Sequence, residues 1–160
     1  MSVAFVREES AETAAEVELP ARPISPHPNL VTASGLDALS KAMAEARAAY
    51  DSAQQIEDVN ERRRATALDL RETNYFSQRL SSAQIIPPPT APDVVAFGSR
   101  VSFKRGDGRG QVFTIVGEDE ANPREGSISF VSPMARALLG KAVGDVVAIG
   151  DSEIEVLVIA

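Results

Sequence analysis

The sequence predicts an α+β protein, an amino-terminal antiparallel helical hairpin of coiled-coil type followed by a small antiparallel β domain with one short helix. Three observations carry that prediction. Residues 35–86 of the 160 contain no proline and a single glycine, Gly35, and are rich in strong helix formers. A proline block, Pro87-Pro88-Pro89-Thr90-Ala91-Pro92, ends them. Beyond it the apolar period changes from 3.5 to 2, the period of strands.

Taken in order, residues 1–34 hold five glutamates, two arginines and four prolines (Pro20, Pro23, Pro26, Pro28). Prolines at that spacing remove amide donors and bar a helix, so a mobile tail is expected. The alternation of Val3, Phe5 and Val6 is too short to form an element alone. Leu36, Leu39, Met43, Ala46, Tyr50 and Ala53 then recur at spacings of 3, 4, 3, 4 and 3, which is a coiled-coil seam. Ser34 stands where an N-cap is needed, and Asp37 lies near the positive helix end. Ala65, Leu68, Tyr75, Phe76 and Leu80 make a second stripe, interrupted by Glu72 and Arg79. One helix of about 50 residues would run about 75 Å and leave its seam exposed. A fold-back around residues 57–61 buries the two stripes together, although no Gly or Pro marks it.

Residues 87–93 form a stiff proline-rich spacer, and 94–160 form the β domain. Val101 and Phe103 mark the first strand, and Val112, Phe113, Ile115 and Val116 the second. Ile128 with Phe130, Val146 to Ile149, and Ile154 to Ile159 mark three more. Ser132, Pro133 and Gly140 bracket a short helix as N-cap, first helical residue and terminator.

Composition excludes several functions. Zero cysteine removes disulfide scaffolds, Cys-zinc sites and thiol catalysis. A single histidine, His27, lies in a proline-rich stretch and argues against a Ser-His-Asp triad or a multi-His metal site. A net charge of -7 opposes charge-driven wrapping of duplex DNA. No apolar run nears the roughly 20 residues of a bilayer span. Met1 to Glu9 lack a basic flank followed by an apolar run. The expectation is a soluble, cytoplasmic protein with no membrane partner.

Local motifs remain open to two readings each. Gly106-Asp107-Gly108-Arg109-Gly110 lacks the lysine and following helix of a phosphate loop and reads as a hairpin turn between strands. Glu118-Asp119-Glu120 is either a solvated connection or a cation ligand set. Arg62, Arg63 and Arg64 form a solvated helix face or contact phosphates. Asp58 and Glu61, three apart at a helix start, complement the helix dipole or bind a divalent cation. Single substitutions at such a tip are expected to change stability by less than about 0.5 kcal/mol.

The carboxy-terminal residues resemble a known family. Phe97-Gly98-Ser99, Ile115-Val116-Gly117-Glu118-Asp119-Glu120-Ala121, Ile128-Ser129, the run from Ser132 to Lys141 and Val143-Gly144-Asp145 resemble the C-terminal domain of the bacterial GreA/GreB transcript cleavage factors. The resemblance covers 94–160 and implies an FKBP-like fold and binding to RNA polymerase at its secondary channel. It also implies that Ser132, Pro133, Met134 and Arg136 belong to the polymerase-binding surface. Leu30-Val31-Thr32 before Gly35, and Ala83-Gln84-Ile85-Ile86, are similar to the two ends of the Gre coiled coil. Between them this chain is shorter by about two heptads, which is about 10 Å less reach if the arms share it. Asp58-Val59-Asn60-Glu61 keeps the Asp-x-x-Glu pair of the Gre tip, but Arg62 replaces the Asn that follows and the further Glu-Tyr is absent.

What this implies is an accessory factor rather than an enzyme, a monomer that binds no cofactor alone. Its partners would be RNA polymerase and the nascent RNA and DNA of the elongation complex. Asp58 and Glu61 would help hold the second Mg²⁺ of the polymerase active site for cleavage of backtracked RNA. Arg62, Arg63 and Arg64 would meet extruded nucleic acid or acidic polymerase surface. The short-coiled Rnk-type regulators, which bind polymerase without stimulating cleavage, are the alternative. A prolyl isomerase is disfavoured because the β half has no Tyr or Trp and four phenylalanines. A plain interaction adaptor is the third class.

Overall fold

A computed structural model describes residues 19–160. The alternation at Val3, Phe5 and Val6, and most of the expected tail, lie outside them. The described residues form two compact units: one of 19–24 with 39–81, the other of 25–38 with 82–160.

The first unit contains most of the hairpin. Helix α1 (Ala33–Ala53) and helix α2 (Val59–Ser82) are joined by residues 54–58. Every member of the expected α1 seam is buried or half-buried, with Leu39 and Ala53 the most enclosed. The α2 stripe differs from expectation at Leu68, which is 44% exposed. Arg79, read as an interruption, is buried instead at 2% exposure.

The turn begins earlier than residues 57–61, and Glu61 lies inside the first turn of α2. Hydrogen bonds from Gln55 N to Ser52 O (3.0 Å) and from Ile56 N to Ala53 O (3.2 Å) tighten the end of α1 into an i→i−3 pattern. That tightening lets the chain turn with no Gly or Pro.

The second unit begins with strand β1 (Leu30–Val31), paired in parallel with strand β2 (Gln84–Ile85). Neither strand was expected: residues 30–31 fell in the tail, and 84–85 in the hairpin. Two residues offer too little periodicity to read, and the pairing spans over 50 positions. Ser34 is not the cap of α1. Thr32 is, its Oγ1 accepting from Gly35 N at 2.9 Å while its carbonyl accepts from Leu36 N at 3.0 Å.

The β domain is a five-stranded sheet in the order β5-β4-β3-β7-β6. Its strands are β3 (Arg100–Arg105), β4 (Gly110–Val116), β5 (Ser127–Ser129), β6 (Val146–Ile149) and β7 (Ser152–Ile159). All pairs are antiparallel except β4 with β5, which is parallel. Phe130 lies just past β5 rather than in it, its amide bonded to Val116 O at 2.9 Å. The core joins Val101, Phe103, Ile115, Ile128, Ile154 and Val156 to Ala135 and Leu138 of helix α3 (Pro133–Leu138). The inward residues of each strand supply this layer, as the period of 2 requires. Among the described residues, no helix is long and apolar enough to cross a membrane.

Candidate functional site

The tip of the hairpin is built around Asp58. Its Oδ1 accepts from Glu61 N at 2.7 Å, and its carbonyl accepts from Arg62 N at 2.9 Å, so Asp58 is the N-cap of α2. Glu61 occupies the third helical position, as in a capping box. Asp58 therefore has a local structural role whatever else it does. Both carboxylates are exposed. One oxygen of Asp58 is engaged by the cap, and the helix dipole favours negative charge at this end.

The three arginines are not equivalent. Arg62 folds back on the turn, its Nη1 donating to Ile56 O at 2.8 Å, and is half-buried. It closes the bend, a task the sequence reading did not give it. Arg63 and Arg64 are exposed and face solvent.

The candidate docking residues belong to the β domain. Ser132 caps α3, its Oγ accepting from Ala135 N at 3.2 Å. Met134 packs against the core and is half-buried, whereas Pro133 and Arg136 are exposed. Ser132 and Met134 thus shape the patch from beneath, and Pro133 and Arg136 are its outward groups. The structure gathers these four residues on one helical turn and, separately, gathers Asp58, Glu61 and Arg62 at the bend.

Glu120 is the residue that sequence reasoning missed. Read as part of a solvated acidic loop, it instead reaches the start of α1. Its carboxylate accepts from Thr32 Oγ1 at 2.6 Å and from Ser34 Oγ at 2.7 Å. Gly35 makes room, because a Cβ there would come within 2.6 Å of Glu120 Oε2. A negative group at the positive end of a helix is stabilising. The helix start near Gly35 was readable, with its cap placed at Ser34 instead of Thr32; the acidic partner 88 residues beyond Thr32 was not.

As a metal centre, the tip is incomplete by itself. Among the described residues, no group of three or more His, Cys, Asp or Glu could hold a metal ion. Two exposed carboxylates nevertheless suit a hard cation that brings other oxygen ligands from a partner.

Residues 89–160 match the family described as Transcription elongation factor, GreA/GreB, C-term. Over those residues the chain is similar to the GreA/GreB C-terminal domain. It is similar to the transcription elongation factor GreB of Neisseria meningitidis serogroup A, 39% identical over 102 residues, covering 60% of this chain and 62% of that protein. It is likewise similar to GreA of Desulfovibrio desulfuricans, 38% identical over 104 residues, covering 64% and 59% respectively. Each match thus takes in less than two thirds of the relative. A solved structure, GreA factor homolog 1 of Thermus thermophilus, aligns over 84% of this chain and 99% of that one at 24% identity and a TM-score of 0.40. The GreA/GreB match contains the whole five-stranded sheet and all four candidate docking residues.

Proposed function

We propose that this chain is a transcription elongation regulator that binds RNA polymerase at the secondary channel through its β domain and offers the hairpin tip to the active site. The observation that carries this reading is the family match over 89–160, which contains Ser132, Pro133, Met134 and Arg136. In this reading, Pro133 and Arg136 make the outward contacts and Ser132 fixes the turn that presents them. The protein is an accessory factor, and the chemistry belongs to the polymerase.

At the tip, Asp58 and Glu61 add negative oxygen ligands to a magnesium ion held mainly by the polymerase. When bound, that ion polarises the scissile phosphate and lowers the pKa of water. Asp58 holds its carboxylate in place through the cap, so the ligand is pre-oriented at no further entropic cost. Arg63 and Arg64 are positioned for extruded RNA phosphates, whereas Arg62 stays with the turn.

A second reading, an occluding regulator that binds without stimulating cleavage, is favoured by one observation. Asp58 and Arg62 both have structural duties that explain their presence without catalysis.

Transcript cleavage in a stalled, backtracked elongation complex tests the choice. Asp58→Asn is the decisive variant, because Asn caps a helix about as well as Asp but lacks the charge. Stimulated cleavage should fall at least about tenfold with polymerase binding unchanged, and added Mg²⁺ should restore part of it. A wild type that inhibits and never stimulates at any Mg²⁺ concentration selects the occluding reading.

A further inference from the structure

Residues 19–24, Leu-Pro-Ala-Arg-Pro-Ile, belong to the same compact unit as the hairpin. Prolines at 20 and 23 flank Arg22. They stiffen the segment in an extended form and lower the entropy lost when it is fixed against a helix. The Arg22 guanidinium lies 3.6 Å from the centroid of the Tyr75 ring and 5.4 Å from that of Phe76. The same group, through Nη1, donates to Glu72 Oε2 at 2.5 Å.

Glu72, Tyr75 and Phe76 stand at i, i+3 and i+4, the spacing that puts three side chains on one helix face. Tyr75 and Phe76 meet edge to face, with centroids 5.3 Å apart at 78°. A carboxylate beside an aromatic face is the arrangement that suits a planar guanidinium, which stacks through its plane and donates from its edge. Glu72 is anomalous in an apolar stripe but accounted for as half of this arrangement.

We infer that Glu72, Tyr75 and Phe76 form a guanidinium-binding site on α2 whose ligand is this chain's own Arg22, so that residues 19–24 act as a brace on the second arm of the hairpin. The arm lies along α2 with a cleft beside it lined by Leu19, Ala21, Ala67, Leu70, Arg71 and Asn74. Arg71 shares the same carboxylate, its Nε standing 3.5 Å from the other oxygen of Glu72. The brace supports α2 between its tip and its base, where a two-helix hairpin has packing on one side only. This inference is independent of whether the tip enters a polymerase.

Local amide hydrogen exchange on the full chain tests it, with Arg22→Ala, Arg22→Lys, Glu72→Ala and the Arg22→Ala/Glu72→Ala double variant. Amides of residues 67–78 should exchange about tenfold faster in Arg22→Ala, while those of β3 to β7 keep their rates. Arg22→Lys keeps the charge but cannot stack and fork, so it should resemble Arg22→Ala. The double variant should exchange no faster than the faster single one, because both changes empty one site. Less than a twofold change in Arg22→Ala, wild-type protection in Arg22→Lys, or single effects that multiply in the double variant would each overturn the inference. Should Arg22→Ala unfold the hairpin outright, the Arg22→Lys and Glu72→Ala comparisons decide it by the same criteria.

Discussion

At the residue scale, the tip carboxylates divide their labour. Asp58 caps α2, so Asp58→Ala should lower stability by about 1 kcal/mol, more than an ordinary exposed position. Asp58→Asn should stay within a few tenths of wild type on the same peptide-host scale, about 0.3 kcal/mol or less. Urea unfolding of both variants checks the pair, and equal losses would remove the cap as the cause. A second residue-scale pair lies in the turn between β3 and β4. The hydrogen bonds from the Arg109 side chain and backbone hold the Asp107 carboxyl below its ordinary value and raise the Arg109 guanidinium. A carboxyl whose folded value is depressed stabilises the fold above its ordinary value and loses that contribution as pH falls through the lower one. NMR titration should therefore find Asp107 ionised somewhat below 3.8, and Arg109→Ala should return it toward that value. Both groups are fully exposed, so the effect is read in the titration and not in overall stability.

At the element scale, close backbone approach decides how β1 reaches the β domain. A Cβ on Gly117 would lie 2.4 Å from the Leu30 carbonyl oxygen, which is backbone and cannot swing away. Gly117→Ala should cost about 2 kcal/mol through that clash, seen as a lower unfolding midpoint. Exchange protection should also fall at β1 and β2, whose amides bond across at Gln84 N to Asn29 O and Ile86 N to Val31 O, both 2.9 Å. Unchanged protection at those amides would mean that the strands adjust freely. Glu120 acts on the neighbouring stretch from the loop after β4, holding the Thr32 and Ser34 hydroxyls at the start of α1. The sheet carries its own irregularity, an extra residue at Leu157 opposite Ser102 and Phe103 of β3. Such a bulge strengthens local twist and turns the outer face of β7.

At the scale of the whole molecule, the two units carry separable tasks in the proposed function. Substituting the outward groups of α3, as Pro133→Asp with Arg136→Glu, should weaken polymerase binding at least about tenfold, the equivalent of 1.4 kcal/mol. Asp58→Asn should leave binding unchanged. Competition against the wild type for polymerase measures both. Equal binding by the α3 variant would remove that patch from the docking surface. Since Met134 and Ser132 support the patch from below, replacing them would confound docking with folding, and they make poor test positions.

The sequence by itself determined the elements whose information is local and periodic. The α1 seam, the strand alternation, the cap and stop of α3 and the glycine turn at 106–110 each repeat a signal over neighbouring residues, and each is present where it was read apart from Phe130. The likeness of 89–160 to the GreA/GreB C-terminal domain was likewise legible, because runs such as Ser132 to Lys141 are contiguous. Only the tertiary structure decided matters that join distant positions. Glu120 with Thr32, Leu30 against Gly117, the β1–β2 pair and Arg22 with Glu72 each link residues 50 or more apart. Their recognition depends on one carboxylate, one missing side chain or two residues of strand. Such signals have no period and no spacing rule, so they acquire meaning only when the chain brings the partners within bonding distance.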